Sequence, residues 1–140
     1  GLRFFTKGEN VKYYGYGPYE SYSDKHLCTY LDEFNTTVSD MYEPYIKPQE
    51  NGSHFGTRYV ETENIRVSSD TPFSFSALHY TQEELTEKKH NFELEKCDDT
   101  VLCIDYKQNG IGQNSCGPLT QEEYRFDESE FEFKIRIEIK

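Results

Sequence analysis

A chain of 140 residues is long enough for one domain with a modest core and short for two. Its 15 Lys and Arg stand against 26 Asp and Glu, and the net charge of −11 repels phosphate backbones, which argues against nucleic acid as a partner. No apolar run approaches the ~20 residues of a membrane-crossing helix, so no membrane is expected either.

Twelve Tyr and ten Phe suit pleated, half-buried surfaces and predict an all-β fold. In chain order, residues 2–6 and 11–14 read as strands flanking a Lys7-Gly8-Glu9-Asn10 turn, which makes them a hairpin in the simplest pairing. A third strand is predicted over 27–34. Residues 42–56 then carry Pro44, Pro48, Gly52 and Gly56, and each proline lacks a ladder donor. A long, stiff, aromatic loop is expected there, of a length that is often functional. Further strands are predicted over 55–60, 65–67, 73–78 and 100–104, each bounded by turn residues. One short surface helix interrupts them at 82–89. Thr81 is its N-cap, Glu84 can reach back to the cap amide, and Leu85 faces inward. At the C-terminus, Phe131, Phe133, Ile135, Ile137 and Ile139 alternate with charged residues, the period of a strand with one buried face. The set predicts an antiparallel β-sandwich or barrel in a single domain.

The residue chemistry alone does not yield an activity. A glycosidase needs two facing carboxylates, and Glu20, Asp24, Glu50 and Asp105 are only four among 26 acids. His26, His54 and His79 have no nucleophile elbow to serve. Gly110-Ile111-Gly112 lacks the lysine and third glycine of a phosphate loop. Cys28, Cys97, Cys103 and Cys116 form no CxxC pair and no metal spacing, so neither metal nor cofactor is expected. Free thiols are expected over two disulfides, in line with a cytoplasmic protein.

Three segments add a family. Tyr14-Gly15-Tyr16-Gly17-Pro18-Tyr19-Glu20-Ser21-Tyr22-Ser23-Asp24, Pro44-Tyr45-Ile46-Lys47-Pro48-Gln49-Glu50-Asn51-Gly52 and Gly110-Ile111-Gly112-Gln113-Asn114-Ser115-Cys116-Gly117-Pro118 resemble, in order, three motifs of the small-chain domain of family-2 β-galactosidases. Residues 73–85 are similar to that domain's Phe-Ser-x-x-x-Tyr-x-x-x-x-Leu pattern.

The resemblance implies part of a galactose-mutarotase-like supersandwich, truncated on its N-terminal side. An edge or face left uncovered would meet the missing half or a second copy of the chain. It implies a parent enzyme that hydrolyses terminal β-D-galactosides with two glutamates in a separate (β/α)₈ barrel, the principal partner of this chain. Catalytic residues are therefore not expected here, and Glu20 and Glu50 are expected to cap backbone amides. Tyr16, Pro48, Gln49 and Asn51 join them as structural or interdomain loop residues. Ser115, Cys116 and Gly117 are the residues expected nearest the sugar. Some members carry an aromatic at the Cys116 position that can stack on the sugar, so a turn that merely packs on the barrel stands beside direct contact. Two rivals remain: a stand-alone carbohydrate-binding module using Tyr13, Tyr16 and Tyr22, and part of the small subunit of a heteromeric enzyme.

Overall fold

The computed structural model describes residues 1–111 and 119–140. The expected all-β, antiparallel character is what the chain adopts. Strands β1 (Leu2–Thr6), β2 (Asn10–Gly17), β3 (Tyr30–Thr37), β4 (His54–Glu61), β5 (Ile65–Leu78), β6 (Thr100–Asp105) and β7 (Arg136–Ile139) join in one sheet. Their order is β1-β6-β5-β4-β2-β3, with β7 also on β5.

The expected β1–β2 hairpin does not form: β1 pairs with β6, and β2 lies between β3 and β4. This has a geometric consequence. Four strand steps separate β1 from β2 along the order β1-β6-β5-β4-β2, about 19 Å in a flat sheet at ~4.8 Å per step. The chain from Thr6 to Asn10 reaches at most about 14 Å. The sheet must therefore curl, and buried bonds mark the closure: Thr6 Oγ1 meets Thr62 Oγ1 at 3.1 Å, and Thr100 Oγ1 donates to Gly8 O at 2.6 Å. The curl buries the core, which includes Val11 and Tyr13 of β2, Val60 of β4, Val67, Phe73 and Phe75 of β5, and Leu102 and Ile104 of β6.

Residues 65–67 and 73–78, read as two strands, are the ends of the single long β5. Pro72 is tolerated inside it because pairing lapses around it. On one side the register jumps from Ser68↔Tyr59 to Phe73↔Thr57. On the other, β7 ends its pairing at Ser68 and β6 begins at Ser74. Strand β7 thus takes up the line of β6 along β5, after an excursion over residues 106–135.

The C-terminal alternation is only partly realised. Pairing is confined to Arg136–Ile139, and Ile137 and Ile139 are exposed rather than buried. Phe133 and Ile135 pack against the core, and the Phe131 ring stacks on Tyr106 at 4.7 Å. Residues 27–29 stay outside β3, and the long loop ends at Ser53, just before β4 begins at His54.

Helix α1 (Gln82–Glu87) starts as expected, with Thr81 Oγ1 accepting from Glu84 N at 3.1 Å and Leu85 fully buried. It stops two residues early, at Glu87. Glu84 does not reach back to the cap; it accepts from Glu95 N at 2.9 Å instead. Arg3 of β1 and Glu83 of the helix make two parallel bonds, 2.9 and 2.8 Å, the forked geometry of guanidinium on carboxylate.

Candidate functional site

Strand β2 ends, β4 begins and β6 ends on one side of the sheet. This is fixed by the pairing of β2 with β4, of His54 with Phe75 and of Asp105 with Ser74. The first two motif segments and the start of the third, Gly110-Ile111, therefore lie at that side, and they are tied to one another.

Glu20 is the centre of the first tie. Its side chain is only 3% exposed. It accepts from Lys25 Nζ at 2.6 Å, from the Tyr45 hydroxyl and from the Gly52 amide at 3.0 Å. The expected amide-capping role is thus present, alongside an ion pair that sequence reasoning missed. Burial works against the charge most strongly of any single effect, yet the Lys25, Tyr45 and Gly52 bonds together hold the carboxyl below its ordinary value. Burial and the Glu20 charge together raise the neighbouring Tyr22 phenol. No pattern in the sequence marks Lys25 or Tyr45 as partners, because one lies five residues beyond Glu20 and the other in a different loop.

Gly52 can donate because its backbone is left-handed, at φ +69°, and a Cβ there would lie 2.5 Å from Met41 O. Replacing Gly52 by alanine is expected to lower stability by about 1–2 kcal/mol, measured as a shift in the urea midpoint. An unchanged midpoint would show that the loop relaxes at no cost.

Ser21 makes the second tie. Its amide donates to Ser53 O at 2.7 Å, and its hydroxyl accepts from Phe55 N at 2.9 Å and donates to Tyr16 O at 3.1 Å. Asn51, buried as a loop residue should be when it substitutes for absent ladder bonds, accepts from Glu43 N at 3.0 Å and donates to Gln49 O at 2.8 Å. Pro48 is buried and Gln49 is exposed. Ser53 Oγ donates to Gln108 Oε1 at 2.8 Å, and Gln108 Nε2 donates to Asp105 Oδ2 at 3.0 Å, which carries the network to the third segment. Asp24 Oδ1 accepts from Ile111 N at 3.0 Å.

Between these loops lies an open hollow of about 460 Å³, lined by polar residues such as Glu50, Asn51, Asp105 and Gln108 and by apolar ones such as Tyr22 and Phe126. Glu50 is open to solvent at one side. Crowding of the carboxyl and the nearby Asp105 charge raise its pKa, with Arg3 opposing. Ser115, Cys116 and Gly117 lie outside the described residues. Among the described residues Cys28, Cys97 and Cys103 form no disulfide, and no metal-ligand cluster occurs.

The aromatics proposed for a stand-alone lectin do not form a platform. Tyr13 is fully buried and Tyr22 is 8% exposed. Tyr16 stacks on Phe55 at 5.5 Å, with His26 against both rings. His54 is buried between Tyr13 and Phe75, with ring centroids at 4.6 and 5.2 Å, and its Nδ1 lies 3.0 Å from Tyr16 O. Tyr13, Tyr22 and His54 are thus buried away from any sugar, and Tyr16 is half-buried in a cluster with Phe55 and His26.

Known proteins align with this arrangement along almost the whole chain. The family described as "Beta galactosidase small chain" matches residues 1–137. A protein named beta-galactosidase from Actinobacillus pleuropneumoniae is 55% identical over 99% of this chain and 14% of its own length. Another of that name, from Staphylococcus xylosus, is 48% identical over 98% of this chain and 14% of its own length. A third, from Streptococcus thermophilus, is 37% identical over 80% of the chain. The chain thus spans about a seventh of the length of these relatives, and no helix among its described residues is long and apolar enough to cross a membrane. A match of this extent places the chain in the beta galactosidase small chain family.

Proposed function

We propose that this chain is the C-terminal part of the small-chain domain of a family-2 β-galactosidase, an enzyme that hydrolyses terminal β-D-galactosides in the cytoplasm. Its role there is to support and complete the active site, while the two catalytic glutamates sit in a separate (β/α)₈ barrel. The domain is a supersandwich of which this curled sheet is one portion. The observation that supports the reading is the convergence of the first two motif segments and Gly110-Ile111 of the third at one end of the sheet, where Glu20, Asn51 and Asp24 act as braces. Ser115, Cys116 and Gly117 are the residues we assign to the galactoside, on the family resemblance of their motif. Leu27, Ile46 and Phe92, exposed by 98%, 94% and 86%, are apolar surface of the kind that meets other parts of a larger protein.

The expected result is that the purified 140 residues do not hydrolyse a chromogenic β-galactoside, while the longer polypeptide does. Turnover by the chain alone, surviving removal of trace full-length enzyme, would overturn the assignment of catalysis to the barrel.

A further inference from the structure

We propose that Ile46 and Phe92 form one apolar knob that docks in a socket on the remainder of the same polypeptide. This rests on the reading above that the chain is part of a longer enzyme, and it adds where the longer polypeptide makes contact.

The two residues belong to segments 46 positions apart, and one side chain joins those segments. Asn91 Nδ2 donates to Tyr45 O at 2.6 Å, and Asn91 Oδ1 accepts from the Tyr42 hydroxyl at 2.6 Å. Ile46 follows Tyr45 and Phe92 follows Asn91, so the bond brings both apolar residues to one ledge. At 94% and 86% exposed, they stand clear of the chain's own surface. The ledge is stiff. Residues Asn91–Glu93 form a 3₁₀ turn, closed by Glu93 N to His90 O at 3.0 Å and Leu94 N to Asn91 O at 3.2 Å. The Glu93 carboxylate accepts from the amides of Lys89 and His90 at 3.0 and 2.8 Å. The His90 ring stacks on Phe92 with centroids 5.2 Å apart. Beneath, Tyr42 and Leu94 pack against the core, and the Tyr45 hydroxyl donates to the buried Glu20. Side chains held in advance on a braced turn lose little freedom on binding, which suits them as interface anchors.

The occupant follows from length. The relatives align with this chain over only 14% of their own residues, which leaves about 86% of such a polypeptide to supply a socket. A second copy of the chain fits less well. Two-fold pairing sets the same patch against itself, so knob would meet knob. It would also bring together Lys47, next to Ile46, and Lys89, three residues before Phe92, with their own counterparts. Both lysines are exposed, and neither forms an ion pair among the described residues, whereas Lys88 is paired with Glu84 at 3.5 Å. Like charges brought face to face oppose that contact.

The test is hydroxyl-radical footprinting of the unmutated full-length polypeptide, read at Ile46 and Phe92 by mass spectrometry, both folded and in denaturant. Oxidation at each residue is expected to be at least about tenfold slower in the folded protein, because a docked anchor is shielded from water. A smaller difference at either residue overturns the proposal. The footprint is repeated along a dilution series that ends in monomers. Protection kept by the monomer places the socket on the same polypeptide. Protection lost on dilution assigns it to a second copy and overturns the proposal. The same sample is assayed on a chromogenic β-galactoside, which tests the underlying reading separately. If it hydrolyses the galactoside and the two residues react freely, the knob falls and the enzyme reading stands. If it does not hydrolyse, the enzyme reading falls and the footprint still decides the knob.

Discussion

Replacing Glu20 by alanine is expected to remove about 3 kcal/mol of folding free energy, seen as a lower urea midpoint in tyrosine fluorescence. That is a large share of the ~5–15 kcal/mol that holds an ordinary domain together. The size follows from what the carboxylate does. One buried group satisfies the Gly52 amide, the Tyr45 hydroxyl and the Lys25 ammonium, so alanine leaves two neutral donors and one cation without their acceptor. The Lys25 side chain is 41% exposed and can turn to water, which keeps the loss at the lower end of values for broken buried pairs. Glu20→Gln should lose about half as much, since its amide oxygen still accepts but the charge is gone. The carboxyl sits below its ordinary value in the fold. Its support is therefore present above the usual carboxylate range and is withdrawn as pH falls through the folded value. A loss under about 1 kcal/mol for Glu20→Ala would mean that the loops do not depend on this brace.

A second loss of similar size is expected between pH 7 and pH 4, and it belongs to His54. Burial pushes this imidazole from its ordinary 6.5 down to about 4, with the Tyr16 carbonyl opposing only in part. In that interval the unfolded chain binds a proton that the folded chain refuses, so stability falls as pH falls. At about 1.4 kcal/mol per pH unit the interval is worth about 3 kcal/mol. Its stability is complete above pH 6.5, a higher window than that of the carboxylates, so the two effects separate in a titration of the urea midpoint. His54→Gln keeps an N–H for Tyr16 O and removes the proton site; its slope between pH 6.5 and 5 should be nearly flat. An equally steep slope in that variant would place the titration elsewhere.

Much of the architecture was written in short-range signals. The strands β1 and β6 lie within a residue of their expected bounds, since both are apolar runs between clear turn residues. Thr81 and Leu85 behave as a cap and a buried helix position should. Partners were another matter. Lys7-Gly8-Glu9-Asn10 is a turn, but a turn says only that the chain reverses, and here it carries the chain across the curled sheet to a different neighbour. Pro72 suggested a strand break, and only the lapse in pairing around it explains why β5 passes through. Alternation from Phe131 to Lys140 reported a two-faced periodicity without reporting what covers the apolar face, and Ile139 is left bare. In the site, motif order revealed that Glu20, Glu50 and Asp24 belong to loops. It was silent on the bonds from Glu20 to Lys25 and from Asp24 to Ile111, because those depend on three strands ending at the same side of the sheet.

The pairing of β1 with β6 also sets a timetable. Leu2 meets Ile104 and Thr6 meets Thr100, so β6, the partner of β1 in this sheet, follows only after nearly a hundred further residues have been made. At ~5–20 residues per second, a ribosome needs about 5–20 s to deliver them. The pairing that closes this curled sheet is therefore a late event in the synthesis of these residues, and a nascent chain paused before Thr100 would hold β1 without β6.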